Sequence, residues 1–206
     1  RTLREQTEKD LSNEGVSWKW IESSSSVVGA LLEHSVLADL VVLGAREPRR
    51  GGKVPSTTAG ELALSAHCPV LVLPEGQSRF DPAAPALVAW NGSPEASHAL
   101  RSAVPFLQHS AEVYLASVKE SKDAAFDLPP LNGADYLSRY GITSEIVEIG
   151  DGGKDVAAML RDAAAIRGCG LVVMGAYGRM RLAERIFGGV TRSMLTNLQV
   201  PLLLRH

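Results

Sequence analysis

The chain has 206 residues, with 21 Lys or Arg against 23 Asp or Glu, so its formal net charge is −2. A composition of 45% hydrophobic and 21% charged residues, with a mean hydropathy of +0.03, is that of an ordinary globular protein. The near-neutral balance argues against a nucleic-acid binder, apolar runs such as residues 171–174 are far too short to span a bilayer, and two cysteines, Cys68 and Cys169, suit a reducing cytoplasm rather than a disulfide framework or zinc site.

In chain order, a charged helix is expected near residues 3–11, a strand at 17–22 and a helix at 27–34. Ser23, Ser24, Ser25 and Ser26 then serve as turn and N-cap residues. A strand at 40–43, a helix from 57 to 66 and a strand at 70–73 follow. Residues 74–85, with Pro, Gly, Ser and Asp and few apolar side chains, read as a linker. Beyond it a strand at 86–90 meets the turn Asn91-Gly92, and Ser93 with Pro94 has the form of an N-cap and first helical residue. Ala96, Ala99, Leu100, Ala103, Val104 and Leu107 repeat at helical spacing. Pro105 is expected to kink or shorten that helix. Strands at 112–118, 144–149, 171–174 and 201–204 alternate with helices at 132–139, at 155–167 and from 189. Such alternation means βαβ units and a mostly parallel sheet in an α/β protein.

The chain repeats itself. Leu40-Val41-Val42-Leu43-Gly44-Ala45 returns as Leu171-Val172-Val173-Met174-Gly175-Ala176. Cys68-Pro69-Val70-Leu71-Val72-Leu73 returns as Val200-Pro201-Leu202-Leu203-Leu204, and Gly15-Val16-Ser17 as Gly141-Ile142-Thr143. A spacing of about 130 residues is a whole small domain rather than a solenoid unit. The expected division is 1–76 as the C-terminal part of one unit, 77–84 as linker and 85–206 as a complete second unit. The first unit lacks a leading strand, a helix and a second strand, which would leave its remaining strands with bare edges. An additional N-terminal segment supplying those elements is therefore expected, and the chain indeed opens on Arg1 rather than Met.

The densest chemical signal is Gly175-Ala176-Tyr177-Gly178, nine further residues, and then Gly188-Gly189-Val190-Thr191. Gly175 follows a buried strand and Gly188-Gly189 opens a helix, so both ends of one loop face the carboxyl edge of the sheet. Open α/β sheets bind their ligands at that edge. Glycine admits close backbone approach and positive φ, a helix start presents free N–H groups to an anion, and Thr191 adds a hydroxyl. A lone glycine more often only makes a turn. No GxxxxGK[ST] and no GxGxxG after the first strand are present, so neither a Walker loop nor the dinucleotide fingerprint applies.

Ala89-Trp90-Asn91-Gly92-Ser93, the glycine stretch from Met174 to Thr191, and the closing Val200-Pro201-Leu202-Leu203-Leu204 together resemble the universal stress protein family. The resemblance covers residues 85–206, with a weaker form over 1–74, so the chain looks like a tandem member with a truncated first domain. It implies a Rossmann-like (HUP-type) parallel five-stranded sheet of order 3-2-1-4-5, often paired through the fifth strands within or between chains. It also implies ATP or another adenine nucleotide, with or without Mg, at a G-x2-G-x9-G-[S/T] motif. Carried over, Gly175, Gly178 and Gly188 match the three motif glycines, and Val190 and Thr191 the residues that follow. Gly189 stands where the family usually has Ser or Thr, and Asn91 where nucleotide-binding members usually have Asp. Ala89, Trp90, Val118 and Met174 match the base side of the pocket, with Tyr177 inside the loop. Backbone N–H groups of Gly178, Gly188, Gly189 and Val190 would hold phosphates, supplemented by Thr191 and by Arg179 or Arg192. In the first unit Ala45-Arg46-Glu47-Pro48 loses the second glycine and Ser56-Thr57-Thr58 the third, so no intact nucleotide site is expected there, and the basic loop of Arg46, Arg49, Arg50 and Lys53 reads as solvated.

Catalysis leaves no mark. His34, His67, His98, His109 and His206 show no metal-ligand spacing and no nucleophile elbow, and Asp151, Asp155 and Asp162 read as a helix start and a solvated face. The expectation is a cytoplasmic stress-response module that binds a small nucleotide and no nucleic acid or membrane, and is not an enzyme. The competing readings are a nucleotide-free interaction module paired through its last strands and, with less behind it, a nucleotidyl-transfer enzyme.

Overall fold

The computed structural model describes residues 2–44, 55–77, 79–118, 128–150, 155–178 and 189–206. Its helices are α1 (Thr2–Asn13), α2 (Val27–Ser35), α3 (Pro55–Ser65), α4 (Pro94–Leu107), α5 (Pro130–Ser138), α6 (Val156–Ile166) and α7 (Gly189–Thr196). The strands are β1 (Val41–Gly44), β2 (Val70–Leu73), β3 (Ala86–Ala89), β4 (Val113–Val118), β5 (Glu145–Ile149), β6 (Leu171–Gly175) and β7 (Leu202–Arg205). They form one sheet of seven strands in the order β1-β2-β7-β6-β3-β4-β5.

From β5 inward this order reads third, second, first, fourth and fifth strand of the C-terminal part. The sheet does not stop at five strands, however. β2 pairs antiparallel with β7 through Val70↔Leu204, Leu71↔Leu203 and Val72↔Leu202, while every other pairing is parallel. The unpaired backbone edge of β7 is thereby covered by β2, which removes an exposed ladder. Arg205 at the end of β7 reinforces the joint, with Nη1 donating to the Ala66 carbonyl just beyond α3 at 2.7 Å. α3 also packs against α7.

Strand periodicity sends alternate side chains into two apolar layers. Leu87, Ala116, Val172, Leu202 and Leu204 face α2, α3, α6 and α7. Ala86, Val88, Leu115, Val173 and Leu203 face α4 and α5. Because both faces are covered over β3, β6 and β7, these strands are near-continuous Val and Leu.

Local signals set the helix starts. Ser26 accepts from Gly29 N at 3.1 Å and Ser93 from Ala96 N at 3.2 Å, so each satisfies an otherwise orphaned first-turn donor. Gly15 and Gly141, matched in the repeat, both take positive φ (68° and 73°) just after a helix, where an L side chain is disfavoured. Pro105 does not shorten α4, which runs to Leu107 with the proline inside it. Pro105 and Arg101 lie on the exposed face, so water can meet the Arg101 carbonyl that loses its partner.

The strand expected at 17–22 is not formed, and residues 16–23 carry no ladder. Alternating apolar residues make a strand only when a neighbour accepts and donates its backbone bonds, and among the described residues none lies beside this segment. Val16, Trp18 and Ile21 remain exposed, and the segment is held to α1 through Arg4, which bonds Glu22 at 3.4 Å and lies over the Trp20 ring.

Candidate functional site

The chain builds the sheet outward from β3 to β4 and β5, then returns to the other side of β3 for β6 and β7. The direction of winding reverses between β3 and β6, whose registers are Ala86↔Leu171, Leu87↔Val172 and Val88↔Val173. At such a switch point the two strands send their following segments to opposite faces and leave a crevice outside their carboxyl ends. Asn91 closes one side of it, Gly175 to Gly178 the other, and the first residues of α4 and α7 border it.

Ala89, Val118, Tyr177 and Val190 pack against the layer that contains buried Met174, on the α6 and α7 side. All five therefore lie on one face of the sheet. Trp90 does not join them. One residue along a strand reverses the side-chain direction, and Trp90 is buried in the α4 and α5 layer. Its Nε1 donates to the Leu128 carbonyl at 2.9 Å, and Leu128 N donates to the Gly92 carbonyl at 3.1 Å. The indole thus pins the end of β3 rather than facing the crevice. Asn91 is exposed, and its Oδ1 accepts from Ser93 N at 3.2 Å, holding the turn into α4 together with the positive φ of Gly92 (75°).

The glycines differ in what they answer to. A Cβ on Gly175 would stand 2.6 Å from Ala96 N, and one on Gly178 would stand 2.7 Å from Glu95 Oε2 and 3.3 Å from Ser93 Oγ. Gly175 is required by the close approach of the α4 backbone, whereas at Gly178 it is chiefly the end of the Glu95 side chain that would have to give way. Gly189 starts α7, and among the described residues nothing lies within 4 Å of a Cβ placed there, so a serine or threonine would fit. Gly188 and Arg179 lie outside the described residues, as do Asp151 and the loop residues Arg46, Arg49, Arg50 and Lys53.

Tyr177 occupies the left-handed region (φ 62°), unusual for a bulky side chain. Its N donates to Thr191 Oγ1 at 3.3 Å, so the buried threonine ties the glycine stretch to the first turn of α7. The ring folds onto the α6 and α7 layer, and burial pushes its phenol up to about 12. One turn further, Ser193 donates to Asp155 Oδ2 at 3.1 Å and Arg161 donates to the Ser193 carbonyl at 3.2 Å. Asp155 therefore spends its side chain on α7 rather than on its own helix. Burial raises the Cys169 thiol to about 11, leaving it protonated at neutral pH and unreactive. A cavity of about 30 Å³ between α6 and α7 is lined by Arg161, Val172, Met194 and Val200. It sits at the amino ends of the strands, away from the crevice, with room for about one water.

Sequence reading overlooked Glu95. It looks like a first-turn acid complementing the dipole of α4, yet its Oε2 is buried and has no hydrogen-bond partner among the described residues. The signal available was its place two residues after the N-cap, on the turn that borders the crevice. Among the described residues no group of three or more His, Cys, Asp or Glu comes together, and no helix is long and apolar enough to cross a membrane.

A doubly wound sheet with its open edge at this switch point defines a Rossmann-like α/β protein. The family model described as the universal stress protein family matches residues 84–206, and the chain belongs to that family. A universal stress protein from Archaeoglobus fulgidus DSM 4304 superposes at a TM-score of 0.75 with 15% identity, over 99% of this chain and 74% of the other. A functionally unknown protein from Pseudomonas aeruginosa PAO1 superposes at 0.61 with 17% identity, over 99% and 76%. At these identities the likeness is one of fold. Comparison with curated proteins gave no match.

Proposed function

We propose that the chain is a cytoplasmic stress-response protein that binds an adenine nucleotide in the crevice between β3 and β6, and that it works by binding rather than by catalysis. The observation that carries this reading is the switch point itself. There Ala89, Val118, Met174, Tyr177 and Val190 line one face, and the amino ends of α4 and α7 meet the same edge. The base would lie on that apolar face. The phosphates would take N–H groups from the start of α7, with Gly178, Gly188 and Thr191 completing the cradle.

The division into 1–76, 77–84 and 85–206 forms part of the same reading. It is supported by the antiparallel β2–β7 pair, on either side of which stand the matched units β1–α3–β2 and β6–α7–β7, and by a superposition that runs over nearly the whole chain. Isothermal titration with ATP and AMP, alongside thermal unfolding, tests it. Saturable heat and a raised melting temperature are expected, and binding should tighten in Gly189→Ser, which restores the family's usual hydroxyl. No heat and no shift with either nucleotide would remove the reading.

A second reading has its own observation. Gly175 is already explained by the packing of the α4 backbone, and a carboxylate lies over Gly178. On that basis the chain is a nucleotide-free interaction module. Native mass spectrometry of the purified protein separates the two, since retained nucleotide adds its mass.

A further inference from the structure

We propose that two copies of this chain join by strand exchange, residues 16–22 of each adding to the free edge of β1 in the other. This surface is separate from the crevice and does not depend on the nucleotide reading.

The sheet treats its two outer strands differently. β5 carries exposed Glu145 and Glu148, charges that discourage a further strand. β1 is Val41-Val42-Leu43-Gly44, with neither charge nor proline. Val41 N donates to the Pro69 carbonyl at 3.0 Å, so Val41 turns its backbone groups toward β2. Alternation then sends the N–H and C=O of Val42 to the open side, where no strand is described. The Val42 side chain stands on the face away from α2 and α3 and is 52% exposed, next to a layer in which Leu71 and Leu203 are buried.

A strand of matching character lies in the same chain. Residues 16–22 form neither helix nor turn and carry no ladder. Val16, Trp18 and Trp20 alternate onto one face and Ile21 falls on the other. Arg4 of α1 and Trp20 Nε1 both bond Glu22 Oε1, at 3.4 and 3.1 Å, which holds the segment extended. Aromatic residues paired with β-branched ones across strands stabilise a sheet, so Trp18 and Val42 suit each other.

Two-fold symmetry satisfies both elements at once, since each copy gives one strand and receives one. Pairing of two copies through β7 is closed, because β2 already covers that edge. Val16, Trp18, Ile21 and Val42 are between 40% and 52% exposed, which leaves roughly 400 Å² of apolar surface per copy in water. With the polar and backbone surface that accompanies it, two copies bury roughly 1,400 Å², within the roughly 1,200–2,000 Å² of a stable pair. At the lower end of that range a dissociation constant on the order of 10 µM is expected. At the dilution of an unfolding experiment the chain is then a monomer with Val42 open to water.

Sedimentation velocity from about 1 to 300 µM tests this on wild type, Val42→Pro and Trp18→Ser. Proline removes the outward N–H of Val42 without touching the ladder to β2, and far-UV circular dichroism shows that each chain is folded. Wild type should pass from monomer to dimer across the range, and each variant should need at least ten-fold more protein to do so. If Val42→Pro does not fold, Trp18→Ser decides alone. A short bismaleimide applied to a mixture of Trp18→Cys and Val42→Cys chains should link one to the other, the two native cysteines being buried. Wild type monomeric throughout, a dimer that the folded variants keep, or Val42→Cys linking only to itself would each overturn the exchange.

Discussion

The β1–α3–β2 and β6–α7–β7 units have matching first strands and the same parallel pairing, yet they stand in different surroundings. Val41↔Val70 in one corresponds to Val172↔Leu202 in the other. Gly44 and Gly175 end the first strand of each. A Cβ on Gly175 would run into the backbone of α4 at 2.6 Å, whereas at Gly44 nothing described lies within 4 Å. Val173 is 0% exposed and its counterpart Val42 is 52% exposed. The difference comes from β3 and α4, which flank and cover β6. On the other side of β1 no strand is described. The crevice is therefore made by the neighbouring strand and helix, and the glycine motif alone does not create it.

The sharpest way to break this comparison is to add one methyl at each glycine. Neither Gly44 nor Gly175 has positive φ, so alanine is conformationally allowed at both and only the clash differs. Gly175→Ala is expected to lose about 3 kcal/mol of stability, the scale of overpacking against backbone that cannot move. Gly44→Ala should stay within about 0.5 kcal/mol of wild type. Urea unfolding with unchanged slopes measures both, and equal losses would show that α4 does not press on the strand end as described.

The next comparison removes atoms instead. Val173→Ala takes two methyl groups from a sealed layer and should cost about 2 kcal/mol, as lost burial plus residual cavity. Val42→Ala should be nearly silent. A loss at Val42 matching that at Val173 would mean that the outer face of β1 is covered in solution.

The alternation of strands and helices was legible because Leu-Val-Val runs and capped helices are local. What lay outside reach depended on partners. Val16, Trp18 and Trp20 have strand-like spacing, but no rule of spacing supplies the neighbour a strand requires. The resemblance implied pairing through the last strands, but that β2 meets β7 within the chain was left open, since the same apolar strand edge pairs as well with another chain. At the site, period two alone separates Ala89 from Trp90, so the opposite directions of the two side chains were there to be read. Glu95 was not, because a first-turn acid is expected on any helix, and only the approach of Gly178 shows that this one is turned inward. The grouping of Ala89, Val118 and Met174 came from the family resemblance, which set Trp90 beside them.

The smallest expected effect concerns Tyr177, which follows β6. Its counterpart after β1 is Arg46, outside the described residues, so the phenol belongs to one unit only. Burial raises its pKa from 10 to about 12, meaning that the folded state holds the phenol proton more tightly than the unfolded chain does. The resulting stabilisation is fully present below pH 10 and is lost as pH rises through about 12, because the unfolded chain releases the proton first. Across that window wild type should lose on the order of 1 kcal/mol more than Tyr177→Phe, a figure discounted because part of the ring meets solvent. Tyr114, raised to about 12 chiefly by its hydrogen bond to Glu112, titrates in both chains and cancels in the difference. A constant offset between the two chains reports the missing hydroxyl and leaves the slope untouched. Urea midpoints taken from pH 8 to 12 read that slope. Parallel curves would show that the Tyr177 ring is open to water, and with it the apolar face on which a base is proposed to lie.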